Sequence, residues 1–290
     1  MKSFFKIGLL CLLALIVAAQ LYILTNLKSD TGNPPAAETT APEITGAPLL
    51  PALDKIPEPE PEPEPDGPGP AEPVFVDVPV LMYHTSSENS PGALTELYVK
   101  PSEFEKQIKY LAENGFAFCT FDDYDDLNNI VKPVFVTFDD GYRENYTEIF
   151  PILQKYNAKI TLFLTMASVK DSELARGMIT EMSGSGLVKF ESHTVKHPDL
   201  TAFGANTEGL ESELENSKTQ IEELTGKPVT ALAYPAGKFD GAVKEAAKGY
   251  YSFGVSIVPG MHNTGSDPFE IRRFRINRGT SLETFIKYVN

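Results

Sequence analysis

Two adjacent carboxylates, Asp139 and Asp140, end a short and strongly apolar run, Pro133–Phe138, and are followed at once by Gly141. Beside an apolar strand such a pair is costly unless something cationic compensates it. On its own it reads as a turn that caps the next helix, since Asp-Gly is a common turn pair. Two of the four histidines, His193 and His197, lie four residues apart after another apolar run. Imidazoles at that spacing reach one ion from a helical turn or a tight loop. Two imidazoles, one carboxylate and an open position form the donor set of a catalytic zinc site. Either pattern alone has an ordinary structural explanation; the two together point to a metal. His84 closes a third apolar run, Val78–His84, at a place suited to an acid, a base or a ligand. His262, in the stretch PGMHNTG, reads as a loop residue. The two cysteines, Cys11 and Cys119, provide neither a disulfide framework nor a Cys-based zinc site.

These groups need a scaffold that gathers residues 82 to 237. Apolar runs of strand character are expected at 78–84, 116–121, 133–138, 160–165, 187–192, 230–234, 252–257 and 273–277. Helix-spaced apolar residues fall at 102–114, 145–156, 208–224, 240–249 and 281–289, the last capped by Thr280 or Ser281. Alternating strands and helices predict an α/β fold with a parallel sheet, open or closed into a barrel. In such folds sites form at the carboxyl ends of strands, where these polar residues stand.

The formal net charge is −15. An acidic domain is a poor nucleic-acid partner, because phosphate contacts need clustered Lys and Arg; a neutral or partly cationic polymer is a more natural one. Residues 7–24 are apolar except for Gln20 and follow Lys2 and Lys6. That pattern predicts a membrane anchor with its N-terminus in the cytoplasm and the rest of the chain outside. A signal peptide cleaved near Val17–Ala19 is the alternative. Residues 28–72 form a Pro/Glu-rich linker without periodic apolar residues. Its repeat Pro57–Pro65 spans roughly 28 Å as polyproline II. The expected division is 1–27 anchor, 28–72 disordered linker and 73–290 catalytic domain.

TFDDGY (Thr137–Tyr142), SHTVKH (Ser192–His197), YPAG (Tyr234–Gly237) and VLMYH (Val80–His84) together resemble the polysaccharide deacetylase family, carbohydrate esterase family 4. The opening motif resembles its poly-N-acetylglucosamine deacetylase branch. The resemblance runs from about Val78 to Arg278 and implies a distorted (β/α) barrel. It implies that Asp140, His193 and His197 bind one divalent metal, Zn2+ foremost, with Co2+, Ni2+ or Mn2+ as alternatives. Asp139 is then the general base and His84 the general acid, so activity would need an ionised Asp139 and a protonated His84. Tyr234, Pro235, Ala236 and Gly237 are implied in substrate or oxyanion contacts. The family's third motif often carries an arginine and an aromatic where this chain has Ala233 and Ala236. The arginine partner of the base is therefore sought in IRRFRINR, at Arg273 or Arg275, and one wall of the sugar groove is missing an aromatic. If His84 is not the acid, His262 is the remaining candidate.

The implied activity is removal of N-acetyl groups from a GlcNAc-containing cell-wall or extracellular polysaccharide, with release of acetate. An O-acetyl esterase acting on xylan-type substrates, and a non-catalytic polysaccharide-binding domain, are the alternatives.

Overall fold

The computed structural model describes residues 74–90, 92–169 and 174–290. The expected anchor and linker lie outside these residues. Among the described residues no helix is long and apolar enough to cross a membrane.

Eight strands form one sheet: β1 (Val80–Tyr83), β2 (Ala117–Cys119), β3 (Pro133–Phe138), β4 (Ile160–Leu164), β5 (Val188–Ser192), β6 (Ala231–Ala233), β7 (Phe253–Val255) and β8 (Phe274–Arg275). Their order is β7-β6-β5-β4-β3-β1-β8, with β2 on the first half of β3, and every neighbouring pair is parallel. The sheet curls strongly. Val255 at the end of β7 bridges Ile271, just ahead of β8. This is the curled parallel sheet expected of a (β/α) barrel.

Both faces are buried, which is why the strands read as continuous apolar runs. Leu81, Tyr83, Val136, Phe138 and Leu162 face the helices. Val80, Phe135, Phe163, Ala231, Val255 and Ile271 form a second cluster inside the curl. Side chains alternate along a strand, so the inward series Phe135, Thr137, Asp139 and the series Ile271, Arg273 carry polar residues into the sheet's carboxyl end.

The helices are α1 (Pro101–Glu113), α2 (Phe150–Tyr156), α3 (Arg176–Gly184), α4 (Thr207–Thr225), α5 (Gly241–Lys248) and α6 (Leu282–Val289). Asn206, Asp240 and Ser281 cap the last three by accepting from Gly209, Val243 and Thr284 amides. The helix expected over 145–156 opens instead as a π-turn, Asn145–Ile149, before α2. There the Asn145 side-chain amide donates to the His84 carbonyl, tying the turn to the end of β1. Helix α3 was not expected, because its buried apolar residues, Ile179 and Met182, are too few to display a period.

β5 and β6 pair only at Ser192–Leu232. Glu191 fills the gap: its carboxylate accepts the Thr230 and Ala231 amides at 2.7 and 2.8 Å and the Thr230 hydroxyl at 3.1 Å. Burial pushes this carboxyl up to about 7, against the two amides and Lys189, which favour its ionised form.

Candidate metal centre

β3 ends at Phe138, and the next three residues turn sharply. Asp140 has φ +75° and Gly141 φ +86°. The left-handed backbone favours glycine at 141, and a Cβ there, 2.4 Å from Leu164 Cδ1, would also displace that side chain. After β5, Thr194 (φ +67°) and His197 (φ +57°) are also left-handed, as is Ala236 (φ +52°) beyond β6. Such non-glycine residues cost about 1–3 kcal/mol each and persist only where surroundings over-determine them. Here they cluster at one end of the sheet.

These turns bring Asp140, His193 and His197 together, with one ligand atom from each inside a 4.8 Å span. Asp140 Oδ1 lies 3.5 Å from His193 Nε2 and 3.7 Å from His197 Nε2. Those separations are long for hydrogen bonds. They suit ligands of one ion, since donors about 2.0–2.1 Å from a tetrahedral centre sit roughly 3.3 Å apart. The donor chemistry fits as well. His193 Nδ1 lies 2.7 Å from the Ala233 carbonyl, which only accepts, so Nδ1 carries the proton and Nε2 presents its lone pair. Burial lowers the His193 pKa and so favours the neutral imidazole that a metal needs. Burial also raises the Asp140 carboxyl, a cost that a bound cation removes.

Asp139, buried beneath this trio, points inward. Arg273, fully buried, grips it bidentately, Nη1 to Oδ1 at 2.7 Å and Nη2 to Oδ2 at 2.8 Å. The same guanidinium donates to the Thr137 hydroxyl at 3.1 Å and the Ser256 carbonyl at 2.9 Å. Burial alone would push the Asp139 carboxyl up; the charge and hydrogen bonds of Arg273 override it and bring it down to about 2. Of the two arginines anticipated as its partner, Arg273 holds Asp139. Arg275, two residues on, lies at the cleft wall instead.

His84, Asp139, Asp140, His193 and His197 border one cleft of about 460 Å³. Burial lowers His84 to about 4; Asp139 opposes the shift, and Arg275 and Arg273 add to it. In the free site burial therefore favours the neutral imidazole over the protonated His84 that the resemblance implies. His262 is not at the cleft. It pairs with Val78, ahead of β1, at the opposite end of the sheet, and its Nε2 meets the Tyr124 hydroxyl at 2.7 Å.

The YPAG segment is only partly at the site. Tyr234 and Ala236 line the cleft, but the Tyr234 hydroxyl donates to the Phe269 carbonyl, and Pro235 is buried. The Tyr234 and Gly237 amides donate to the Val255 and Tyr234 carbonyls. At most the Ala236 amide of this stretch can serve an oxyanion. Where the aromatic is missing, Leu94 and Ile257, 53% and 41% exposed, form an aliphatic wall.

A second cleft, of about 580 Å³, meets the first at Asp140, Tyr142 and His197 and is bordered by Tyr98 and Lys196. Residues not anticipated from sequence hold these walls. Arg278 donates to the Ser87, Glu88 and Tyr98 carbonyls at 3.0, 2.7 and 2.7 Å, pinning the segment that carries Leu94, Leu97 and Tyr98. Glu213, on α4, accepts two amides of the histidine loop. It interrupts the apolar stripe Leu210, Leu214, Ile221, and a charge at a core-facing position was the one available sign of it.

A curled parallel sheet bearing an Asp-His-His cluster at its strand ends, beside an arginine-held carboxylate, defines a hydrolase of the α/β-barrel type. Residues 126–251 match the polysaccharide deacetylase family. YxkH of Bacillus subtilis, provisionally named a polysaccharide deacetylase, is 32% identical over 220 residues, covering 73% of this chain and 76% of that one. The poly-β-1,6-N-acetyl-D-glucosamine N-deacetylase of Staphylococcus epidermidis is 27% identical over 65% of this chain and 71% of its own. A solved polysaccharide deacetylase from Bacillus cereus superposes with TM-score 0.70 at 35% identity, covering 74% of this chain and 70% of that one. The Streptococcus pyogenes deacetylase PplD, solved with acetate, gives 0.68 at 28% identity, over 75% of this chain and all of PplD. The chain belongs to the polysaccharide deacetylase family.

Proposed function

We propose that the chain removes N-acetyl groups from a GlcNAc-containing polysaccharide, releasing acetate and leaving a free amine, with one divalent metal held by Asp140, His193 and His197. The observation that carries this reading is the convergence of those three ligand atoms beside a buried, ionised Asp139. Relatives named as deacetylases of poly-N-acetylglucosamine and of peptidoglycan N-acetylmuramic acid support the substrate class. Zinc is the metal that two imidazoles and one carboxylate suit best.

When bound, such an ion polarises a carbonyl oxygen and acidifies a water. Asp139, kept ionised by Arg273, accepts the proton that water gives up. Thr137 and Ser256 hold the guanidinium, so the carboxylate cannot swing away. His84 shares the cleft with Asp139; once it takes up a proton, from the cleft or from Asp139 after the water is deprotonated, it can pass that proton to the departing nitrogen. The amide C–N bond breaks, the carbonyl carbon keeps the water oxygen, and the nitrogen leaves protonated. Leu94, Leu97 and Ile257 offer the sugar faces an apolar surface.

Access to such a polymer fits an extracytoplasmic domain. We place the chain at the cell membrane, tethered through residues 7–24 and extended by the Pro/Glu linker; if the N-terminal segment is cleaved, the domain is secreted. The Lys2/Lys6 charge bias and the apolar run support this placement.

Acetate release from N-acetylglucosamine oligomers and from acetylated xylan, before and after chelation, tests the proposal. Release from the oligomers should vanish with the chelator and return with Zn2+. Release from xylan alone identifies an O-acetyl esterase. Glycan binding without metal or turnover identifies a binding domain.

A further inference from the structure

The loop between the two histidines has to hold a shape that its residues do not favour. Thr194 and His197 are both left-handed without being glycine. The loop is fastened at several points. The His193 amide donates to the Leu164 carbonyl, the Thr194 amide to the Ser192 hydroxyl and the His197 amide to the Thr194 hydroxyl. The Met166 and Ala167 amides reach in to the Thr194 and Val195 carbonyls. Two consecutive donors remain, the amides of Val195 and Lys196, midway between the imidazoles. Both go to a single oxygen, Oε2 of Glu213, each at 2.9 Å. Glu213 is buried on the inner face of α4, next to Leu210, Leu214 and Ser217, and among the described residues it has no ion-pair partner. A buried carboxylate without a cation is costly. Its compensation here is the pair of loop amides, arranged as a small anion nest.

We propose that Glu213 is a positioning residue for the metal centre: its Oε2 fixes the histidine loop and so sets the angle between His193 and His197. It touches neither ion nor substrate. The inference rests on the reading that Asp140, His193 and His197 hold the ion. Because one oxygen takes both amides, glutamine can reproduce the arrangement through its carbonyl oxygen, while alanine cannot.

The test is Zn2+ affinity of the full-length chain, by competition with a chromophoric chelator, for wild type, Glu213→Gln and Glu213→Ala. Amide hydrogen exchange across residues 193–197 of the metal-free protein is measured in parallel. Glu213→Ala should weaken Zn2+ binding about 10- to 100-fold, the range for loss of an outer partner. Glu213→Gln should stay within about threefold of wild type, so lost charge is not the cause. Val195 and Lys196 should exchange slowly in wild type and in Glu213→Gln. Equal Zn2+ affinity for wild type and Glu213→Ala, or a Glu213→Gln as weak as Glu213→Ala, overturns the proposal. If Glu213→Ala does not fold, the wild-type exchange decides: Val195 and Lys196 amides as fast as an open loop overturn it too. A wild-type chain that binds no Zn2+ while those amides stay protected overturns the ion-holding reading, and with it the role of Glu213 toward metal.

Discussion

Replacing Arg273 with methionine removes the cation that keeps Asp139 ionised and leaves a side chain of similar length among apolar neighbours. Asp139 is held at about 2 against an ordinary 3.8. That difference corresponds to about 2 kcal/mol of folding stability, good to its order of magnitude. Because the folded value is depressed, this contribution is present above pH 3.8 and is lost as pH falls through about 2. Without Arg273, burial is left to dominate and raises the carboxyl instead. The variant is then least stable at neutral pH, by about 3–5 kcal/mol, the cost of breaking a buried pair. It recovers part of that loss in acid, as Asp139 takes a proton. The double variant Arg273→Met/Asp139→Asn has no buried charge left and should regain much of the stability. The double variant has no carboxylate base, and the single one has lost the guanidinium that holds the base in place, so acetate release should fall at least about 100-fold in both. Urea denaturation between pH 4 and 8, alongside acetate release from N-acetylglucosamine oligomers, measures the whole set. An Arg273→Met protein with wild-type stability and wild-type pH slope refutes the reasoning. So does a double variant no more stable than the single one.

Glu191 carries the opposite sign. Its folded pKa is raised to about 7 from an ordinary 4.5, so wild-type stability should fall as pH climbs through that window, by an amount on the order of 3 kcal/mol. Glu191→Gln keeps an oxygen for the Thr230 and Ala231 amides and should flatten the slope, whereas Glu191→Ala strands two amides at about 1–3 kcal/mol each; urea midpoints at pH 5 and pH 8 distinguish these outcomes. Arg278→Ala should raise KM for a long N-acetylglucosamine oligomer about tenfold with kcat within about threefold, as expected when uniform binding is removed. Leu94→Ala should shift KM in the same direction, and a change confined to kcat would contradict the assignment of that wall.

Much of the fold was legible because its strands are buried on both faces. β3 coincides with the apolar run at 133–138, and β4 to β7 lie within the expected runs. Where burial is shallow, the pattern failed. Helix α3 shows too few apolar residues to reveal its period, and the turn at Asn145–Ile149 carries helix-like spacing without α geometry. The aliphatic wall at Leu94 could not be read either, since a lone exposed leucine has no distinguishing neighbours in sequence.

Residue types and local spacing by themselves determined the parallel α/β alternation, the acidic pair at a strand end and the His-x-x-x-His loop. Those features follow from periodicity and from side-chain chemistry, which are local. The tertiary structure decided the rest. Arg273 rather than Arg275 reaches Asp139: the two share one strand parity, and only the register of β8 against β1 and of Ile271 against Val255 sets which of them lies level with Asp139. His262 belongs to the far end, because Val78 lies at the start of the inward path that His84 closes. Burial pulls the His84 pKa down more than a nearby carboxylate raises it, a balance set by neighbours distant in the chain. Glu213 matters because α4 lies behind a loop whose two spare amides share one oxygen.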